Sequence, residues 1–203
     1  MRPLFDSNAV AAGLFWVVFF GWGLLEMGGS AVEMRRMRQR GQGRASEDKG
    51  TAPLFVVAIY GGLALAFLAA YEATWASIPS PRWASFGSGL TLIVVGVAGR
   101  QWAIHTLGPF FTREVRILRD HALVTAGPYR VVRHPSYAAG QLSDLGLGLA
   151  LGNWLSIVAA VGPILAVTVR RIGVEEDALR RGLGPGVYEQ YASGRARLVP
   201  GVW

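Results

Sequence analysis

The sequence alternates between long apolar runs and polar segments rich in arginine. Four runs approach or exceed the roughly 20 residues that a helix needs to cross a bilayer. They cover residues 9–27, 52–71, 83–99 and 138–169. The fourth run is 32 residues long, and Gly152, Asn153 and Trp154 interrupt it at its middle, which is typical of a tight turn. We therefore interpret it as a hairpin of two short helices, residues 135–152 and 154–171, so that the pattern predicts an all-α membrane protein with five transmembrane helices.

A signal peptide is the alternative interpretation of the first run, because only Arg2 precedes it. The residues that follow, 34–44, are strongly basic and contain no small-residue cleavage site. This favours a helix that is retained in the membrane.

The polar segments differ in character. Residues 40–50 are Gly-rich and indicate a loop. Residues 105–135 interleave apolar and basic positions, which favours a cytoplasmic interfacial loop that packs at the membrane surface, with Pro109, Pro128 and Pro135 interrupting short pieces. Residues 173–193 have the apolar spacing of one C-terminal amphipathic helix, or of two that are broken at 184–186. We expect an N-terminal three-helix region, 1–104, and a cofactor-binding region, 105–203.

Composition supports a membrane protein and orients it. Of the 203 residues, 52% are hydrophobic and 16% are charged, and the formal net charge is +7; soluble domains have about 25% charged residues. All but Arg2 and Arg82 of the 20 basic residues fall on one predicted side, which the positive-inside rule identifies as cytoplasmic. The N-terminus is therefore expected on the non-cytoplasmic side. We expect the membrane to be of the bacterial inner-membrane type. The rule explains the basic excess without nucleic-acid binding, and the absence of cysteine excludes disulfides and thiolate sites.

Few side chains suggest chemistry by themselves. The three histidines, His105, His121 and His134, are too widely spaced for a zinc pair on a helix, so we expect no metal. Asp144 lies inside the predicted hairpin, where an ionisable group is either functional or paired with an arginine such as Arg100. The glycines of the predicted hairpin, including Gly146, favour close packing between helices.

The strongest signal is the stretch GPYRVVRHPSYAAG at residues 127–140, which concentrates hydrogen-bonding side chains at the mouth of the hairpin. Together with HALVTAG at 121–127, and with Arg171, Glu175 and Glu176 after the hairpin, it resembles the isoprenylcysteine carboxyl methyltransferase family. These integral membrane enzymes are related to the phospholipid N-methyltransferases. The resemblance covers about the last 100 residues of the chain.

The resemblance implies an S-adenosyl-L-methionine site that is enclosed by the interfacial loop, the hairpin and the C-terminal helix. Arg171 would face the substrate carboxylate, and Arg133 would orient the substrate or hold the site together. The residues that would contact the cofactor are His121, Ala122, Leu123, Val124, Tyr129, His134, Pro135, Ser136, Tyr137 and Glu175. Without the resemblance, Glu175 and Glu176 are helix-stabilising acids, and Glu176 forms an i, i+4 pair with Arg180.

The expected activity is methyl transfer to a membrane-embedded lipophilic acceptor, a small molecule or a lipidated substrate that reaches the site from the membrane lipid. A carboxylate such as that of an isoprenylcysteine suits these residues, since it is ionised at neutral pH and an arginine fork can orient it. N- or S-methylation of a phospholipid amine or a small thiol is the alternative, and an amine would need His134 or Asp144 as a base. A small membrane transporter and a non-catalytic scaffold are the alternatives outside this chemistry.

Overall fold

The computed structural model describes residues 1–40, 47–79, 81–112, 114–116 and 122–203, and of residues 29–40 it describes the backbone alone. The α-helices of this part of the chain are α1 (Ala9–Arg40), α2 (Thr51–Glu72), α3 (Arg82–Leu107), α4 (Pro135–Leu151), α5 (Trp154–Leu183) and α6 (Val187–Ala192). The same residues form no β-strand, and their β-contacts are two isolated bridges. The prediction of an all-α chain is confirmed over the described residues.

Four of these helices are long and apolar enough to cross a membrane. The candidate spans are Ala9–Gly28, Thr51–Glu72, Arg82–Phe110 and Trp154–Leu183. α4 has 17 residues, which is about 25 Å of helix against a hydrocarbon core of roughly 30 Å. Four spans are therefore supported, and the fifth stays a prediction.

The turn between α4 and α5 lies where the sequence interrupts the fourth apolar run. Gly152 ends α4 with a left-handed backbone at φ 69°, which costs little without a Cβ. Asn153 then caps α5, because its Oδ1 accepts the Ser156 N–H at 3.1 Å. The Asn153 amide also donates to the carbonyl oxygen of Ala73 at 2.8 Å, so the turn is attached to the end of α2.

α3 packs against α4 through glycines that allow the two backbones to approach closely. A Cβ on Gly89 would lie 2.6 Å from the Gly146 carbonyl oxygen and would also meet the Ala150 nitrogen. A Cβ on Gly96 would lie 2.6 Å from the Ala139 carbonyl oxygen. The close packing that we predicted for the hairpin glycines is confirmed at Gly146.

α5 is longer than the sequence pattern suggests, because it continues beyond residue 171 to Leu183. The prediction of a separate helix over 173–193 is therefore wrong in its first half. The apolar run ends at Val169, but the following residues are good helix formers that keep an apolar face with Val174 and Leu179 buried. The predicted break at 184–186 is confirmed, since α6 begins after it.

The last turns of α5 form a cap with α6 and with part of the interfacial loop. Its buried apolar residues are Val115, Val174, Ala178, Leu179, Tyr188 and Tyr191. A second cluster, which includes Phe15, Phe86, Ile93, Leu147 and Leu151, fills the space between the long helices. The functional site described below lies between these two clusters.

The α3–α4 contact predicts a position-specific effect of adding a methyl group. Gly89→Ala places a Cβ against the α4 backbone, so we expect it to lower the free energy of unfolding by about 1–3 kcal/mol. Gly87→Ala is the matched control, since a Cβ there meets no atom within 4 Å. Thermal unfolding in detergent measures both, and equal melting temperatures for the two variants would contradict the packing.

Candidate active site

A cavity of about 660 Å³ lies between the helices and the interfacial loop. This volume falls within the range of roughly 300–1,000 Å³ that is common for ligand pockets. α4 lines it with Tyr137, Gln141, Asp144 and Leu147, positions that share one face of a helix. α5 lines it with Glu175, Arg171, Thr168 and Ile164, which also share one face. The cavity therefore runs along both helices, from a polar end at Tyr137 and Glu175 towards an apolar end.

The cavity brings together most of the residues that the sequence predicted for the site. Ten of these residues line it, namely Ala122, Leu123, Val124, Tyr129, Arg133, His134, Ser136, Tyr137, Arg171 and Glu175. Pro135, in contrast, is the buried first residue of α4 and is not part of the lining. His121 lies outside the described residues. The individual roles of these side chains stay predictions.

A chain of hydrogen bonds connects three helices at the polar end. The Tyr137 hydroxyl donates to Oε2 of Glu175 at 3.1 Å and accepts from Nε of Arg171 at 2.8 Å. Nη1 of Arg171 donates to Oδ1 of Asp48 at 2.7 Å and to the Thr51 hydroxyl at 3.0 Å. The Arg171 guanidinium also lies 5.9 Å from the centre of the Phe55 ring. These contacts fix the guanidinium between α4 and the beginning of α2.

Asp48 is held as a carboxylate at the beginning of α2. Burial would raise the pKa of this carboxyl, but hydrogen bonds from the Ala52 N–H and the Thr51 hydroxyl, together with the charge of Arg171, outweigh burial. The pKa of Asp48 therefore lies below its ordinary value. The Ala52 N–H to Oδ2 distance is 2.6 Å, the contact of an acid with the first turn of a helix.

Glu176 faces away from the cavity and is completely buried. Its oxygens accept from Nη1 of Arg133 at 2.8 Å and from Nη2 of Arg197 at 3.0 Å. The predicted i, i+4 pair with Arg180 is confirmed at 3.4 Å. His134 contributes a fourth contact, Nε2 to Oε1 at 3.4 Å. A buried carboxylate requires such compensation, so Glu176 joins α5 to the residue pair before α4 and to the C-terminal segment.

The sequence predicts that Asp144 is either functional or paired with an arginine such as Arg100, and the contacts of Arg100 bear on this choice. Nε of Arg100 bonds Oε1 of Glu26 on α1 at 2.7 Å, and its Nη1 donates to the Ser136 carbonyl oxygen at 3.0 Å. Asp144 forms no hydrogen bond or ion pair with the residues that the structure describes. Asp144 and Arg100 thus form no direct salt bridge, although the charge of Arg100 acts on this carboxyl at longer range.

The cavity is also bordered by side chains that face outward from α1 and α2. Phe20, Val56 and Tyr60 line it while 61%, 53% and 68% of their surfaces remain exposed. Both helices are candidate membrane spans, so this exposed rim of the cavity lies on segments that are apolar enough to cross a bilayer.

Asp48, Thr51, Glu176 and Arg197 are not among the site residues that the sequence predicts. Asp48 and Thr51 lie at the end of a polar segment and at the first position of α2. Asp48 is separated from Arg171 by 123 positions in the sequence. Glu176 carried a usable signal, since adjacent residues on a helix point about 100° apart. With Glu175 on the face of Arg171, Glu176 had to face elsewhere.

Glu176→Gln should destabilise the chain, because Arg133 and Arg197 would lose their shared charge partner. Removing one partner of a buried ion pair typically costs about 3–5 kcal/mol. Asp177→Asn is the control, since Asp177 is exposed and pairs with Arg180 alone among the described residues. Chemical or thermal unfolding in detergent measures both variants, and an unchanged stability of Glu176→Gln would contradict the role of this carboxylate.

Asp48 predicts a pH-dependent contribution to stability. Because its pKa in the folded chain lies below the ordinary value of 3.8, the carboxylate stabilises the fold above that pH, and the contribution is lost as the pH falls through the folded-state value. The difference in unfolding free energy between the wild type and Asp48→Asn should therefore be constant near neutral pH and shrink in acid. A difference that does not change with pH would refute this.

Comparison with known proteins connects this geometry to a family. Residues 89–181 match the family model described as isoprenylcysteine carboxyl methyltransferase (ICMT) family. Protein-S-isoprenylcysteine O-methyltransferase B of Arabidopsis thaliana is 34% identical over 123 residues, which are 60% of this chain and 60% of that protein. Form A from the same plant is 37% identical over 121 residues, 59% of this chain and 61% of that protein.

The Saccharomyces cerevisiae protein-S-isoprenylcysteine O-methyltransferase is 37% identical over 93 residues, 45% of this chain and 39% of that protein. The chain thus matches less than two thirds of the length of these relatives. They are eukaryotic and give no support to the expected bacterial inner membrane. The predicted resemblance to the isoprenylcysteine carboxyl methyltransferase family is nevertheless confirmed, and the matched residues include the hairpin with Tyr137, Arg171 and Glu175.

Proposed function

We propose that this chain is a membrane methyltransferase that transfers a methyl group from S-adenosyl-L-methionine to the carboxylate of a lipophilic acceptor, with an isoprenylcysteine as the first acceptor to test. The observation that carries the proposal is the Glu175–Tyr137–Arg171 hydrogen-bonded group at the polar end of a cavity that is lined by side chains of the candidate membrane spans. Its relatives are named for this reaction.

The polar end of the cavity suits the cofactor. Glu175 is a partly exposed carboxylate that would accept hydrogen bonds from ribose hydroxyls or face a positive charge. Tyr129 and His134 border the same end, and residues 122–124 of the interfacial loop line it. Burial raises the pKa of the Tyr129 hydroxyl, so this side chain remains a neutral phenol. His121, which lies outside the described residues, and Pro135, which precedes the lining residue Ser136, remain predicted contacts of the cofactor.

When bound at the polar end of the cavity, S-adenosyl-L-methionine would supply an electrophilic methyl group to the acceptor oxygen, with its sulfur keeping the electron pair of the broken carbon–sulfur bond. The acceptor carboxylate is ionised at neutral pH and needs no general base. Arg171 would orient it, because the bonds to Tyr137 and Asp48 hold the guanidinium at a fixed angle in the cavity wall. Arg133 would act indirectly, through Glu176, by holding the loop before α4 in place. Enclosure by the loop would exclude water from the reaction.

The membrane arrangement that we propose has α4 as a fifth span that forms a hairpin with α5. Its 17 residues carry Asp144 as their single charged side chain, and a short span is accommodated by local thinning of the bilayer. The N-terminus would lie outside and the polar end of the cavity on the cytoplasmic side, as the basic residues indicate. A lipophilic acceptor would then reach Arg171 between α1 and α2.

The test uses the full chain purified in detergent, with cofactor binding measured by calorimetry and methyl transfer measured with N-acetyl-S-farnesylcysteine. We expect Glu175→Gln to weaken cofactor binding about tenfold, which corresponds to roughly 1.4 kcal/mol. Arg171→Lys should lower kcat/KM for the acceptor about tenfold or more while leaving cofactor binding unchanged, because lysine lacks the planar fork that orients the carboxylate.

Asp177→Asn, an exposed neighbour on the same helix, is the matched control and should behave as the wild type. Mass spectrometry of the product identifies an ester, an amine or a thioether. Cofactor affinities that are equal in Glu175→Gln and the wild type would refute the site assignment. An N- or S-methylated product would show that the acceptor is an amine or a thiol and not a carboxylate.

A further inference from the structure

We propose that the cavity contains a second polar subsite, formed by Asp144 with Gln141 and Thr168, that binds a hydrogen-bond donor in the lipophilic part of the acceptor. A hydroxyl or an ammonium group has the required chemistry. This inference rests on the proposed function for the identity of the reaction, and it narrows the class of acceptor. It concerns residues deeper in the cavity than the Glu175–Tyr137–Arg171 group.

Helix geometry gives the depth of this subsite. Asp144 follows Tyr137 by seven residues on the same face of α4, which is about 10 Å along the helix. Thr168 precedes Glu175 by seven residues on the cavity face of α5, again about 10 Å. Tyr137 and Glu175 are hydrogen-bonded to each other, and the two helices form the arms of one hairpin. Asp144 and Thr168 therefore lie at similar depth on adjacent walls of the cavity.

Asp144 is the central observation. Its side chain lines the cavity and has a relative exposure of 8%, yet its carboxyl makes no hydrogen bond or ion pair with any residue in the described ranges. Arg100, an arginine of the cavity lining whose charge acts on Asp144 at longer range, is hydrogen-bonded to Glu26 and to the Ser136 carbonyl oxygen rather than to Asp144. A buried carboxyl that is not hydrogen-bonded is costly, so this position favours a ligand that donates to it.

The neighbouring polar groups add acceptors to this depth of the cavity. The Thr168 hydroxyl oxygen and Oε1 of Gln141 are buried and, within the described residues, have no hydrogen-bond partner. Both residues belong to the cavity wall. Three polar side chains from two helices thus line one region of the cavity, and the two buried oxygens would accept a hydrogen bond from a ligand once their side chains turn towards it.

Apart from the Glu26–Arg100 ion pair, the cavity wall near this depth includes the apolar side chains of Leu63, Leu147, Ala160 and Ile164. A purely hydrocarbon chain would fill the region but would leave Asp144 without a donor. An acceptor that carries a donor about 10 Å from the methylated atom would satisfy Asp144 while its remaining chain contacts the apolar wall. The subsite would therefore select amphiphilic acceptors over plain hydrocarbon ones.

The experiment compares three S-alkyl-N-acetylcysteines of equal chain length. One has a plain hydrocarbon chain, one has a hydroxyl about 10 Å from the carboxylate, and one has an ammonium group at that position. For the wild type we expect at least a tenfold higher kcat/KM, and tighter calorimetric binding, with one of the two donor-bearing compounds than with the plain chain. The preferred compound identifies the donor.

Asp144→Leu should abolish this preference and bind the plain chain at least as well as the wild type does, whereas Asp144→Asn, which retains an acceptor oxygen, should keep part of it. Ser143→Ala is the matched control, because the Ser143 hydroxyl contacts the Ile93 and Ala139 carbonyl oxygens and does not line the cavity. Thermal unfolding verifies that each variant is folded.

Binding and turnover separate this inference from the proposed function. If the binding preference depends on Asp144 but none of the compounds is methylated, the subsite is supported and the proposed reaction is refuted. If the compounds are methylated but the wild type and Asp144→Leu show the same preference, the subsite is overturned and the reaction stands.

Discussion

The buried carboxylate of Glu176 is the interaction on which the polar end of the molecule depends. Arg133 reaches it from the segment before α4, and Arg197 reaches it from the C-terminal segment. Backbone hydrogen bonds reinforce the same contact, since the N–H groups of Arg133 and His134 donate to the carbonyl oxygens of Ala196 and Arg197. Because removing a partner would leave charge uncompensated in the interior, these segments stabilise one another, and their contacts hold the residues at the polar end of the cavity in place.

Glu175 and Glu176 show how adjacent residues of one helix serve different parts of the structure. A rotation of about 100° per residue directs Glu176 into the interior and leaves Glu175 on the cavity face, one turn from Arg171. The charge cluster around Glu176 therefore sets the rotation of α5, and the rotation sets the direction of Glu175 and Arg171. Tyr137 then connects both residues to α4.

Local patterns predicted a large part of this arrangement. Apolar run length predicted five membrane helices, of which four are long and apolar enough to span, and the motif at 127–140 led to side chains that line the cavity. The end of α5 was missed because hydropathy stops at Val169, whereas helix propensity continues to Leu183. The contacts of Asp48 with Arg171 and of Glu26 with Arg100 join residues 123 and 74 positions apart. Hydrophobic periodicity carries no information about pairs that far apart in the sequence, so the structure is needed to identify them.

Under the proposed function, the Asp48–Arg171 ion pair limits how much the acceptor carboxylate would contribute to binding affinity. The guanidinium charge is already compensated by Asp48 at 2.7 Å, so an acceptor carboxylate would add little net Coulomb attraction there. Arg171 would then fix the direction of the carboxylate, while burial of the acceptor chain, at roughly 25 cal/mol per Å² of apolar surface, would supply the affinity. Methylation removes the acceptor charge but not its chain, so the product would remain a ligand of the apolar wall. Its release would follow the same route to the bilayer, between α1 and α2.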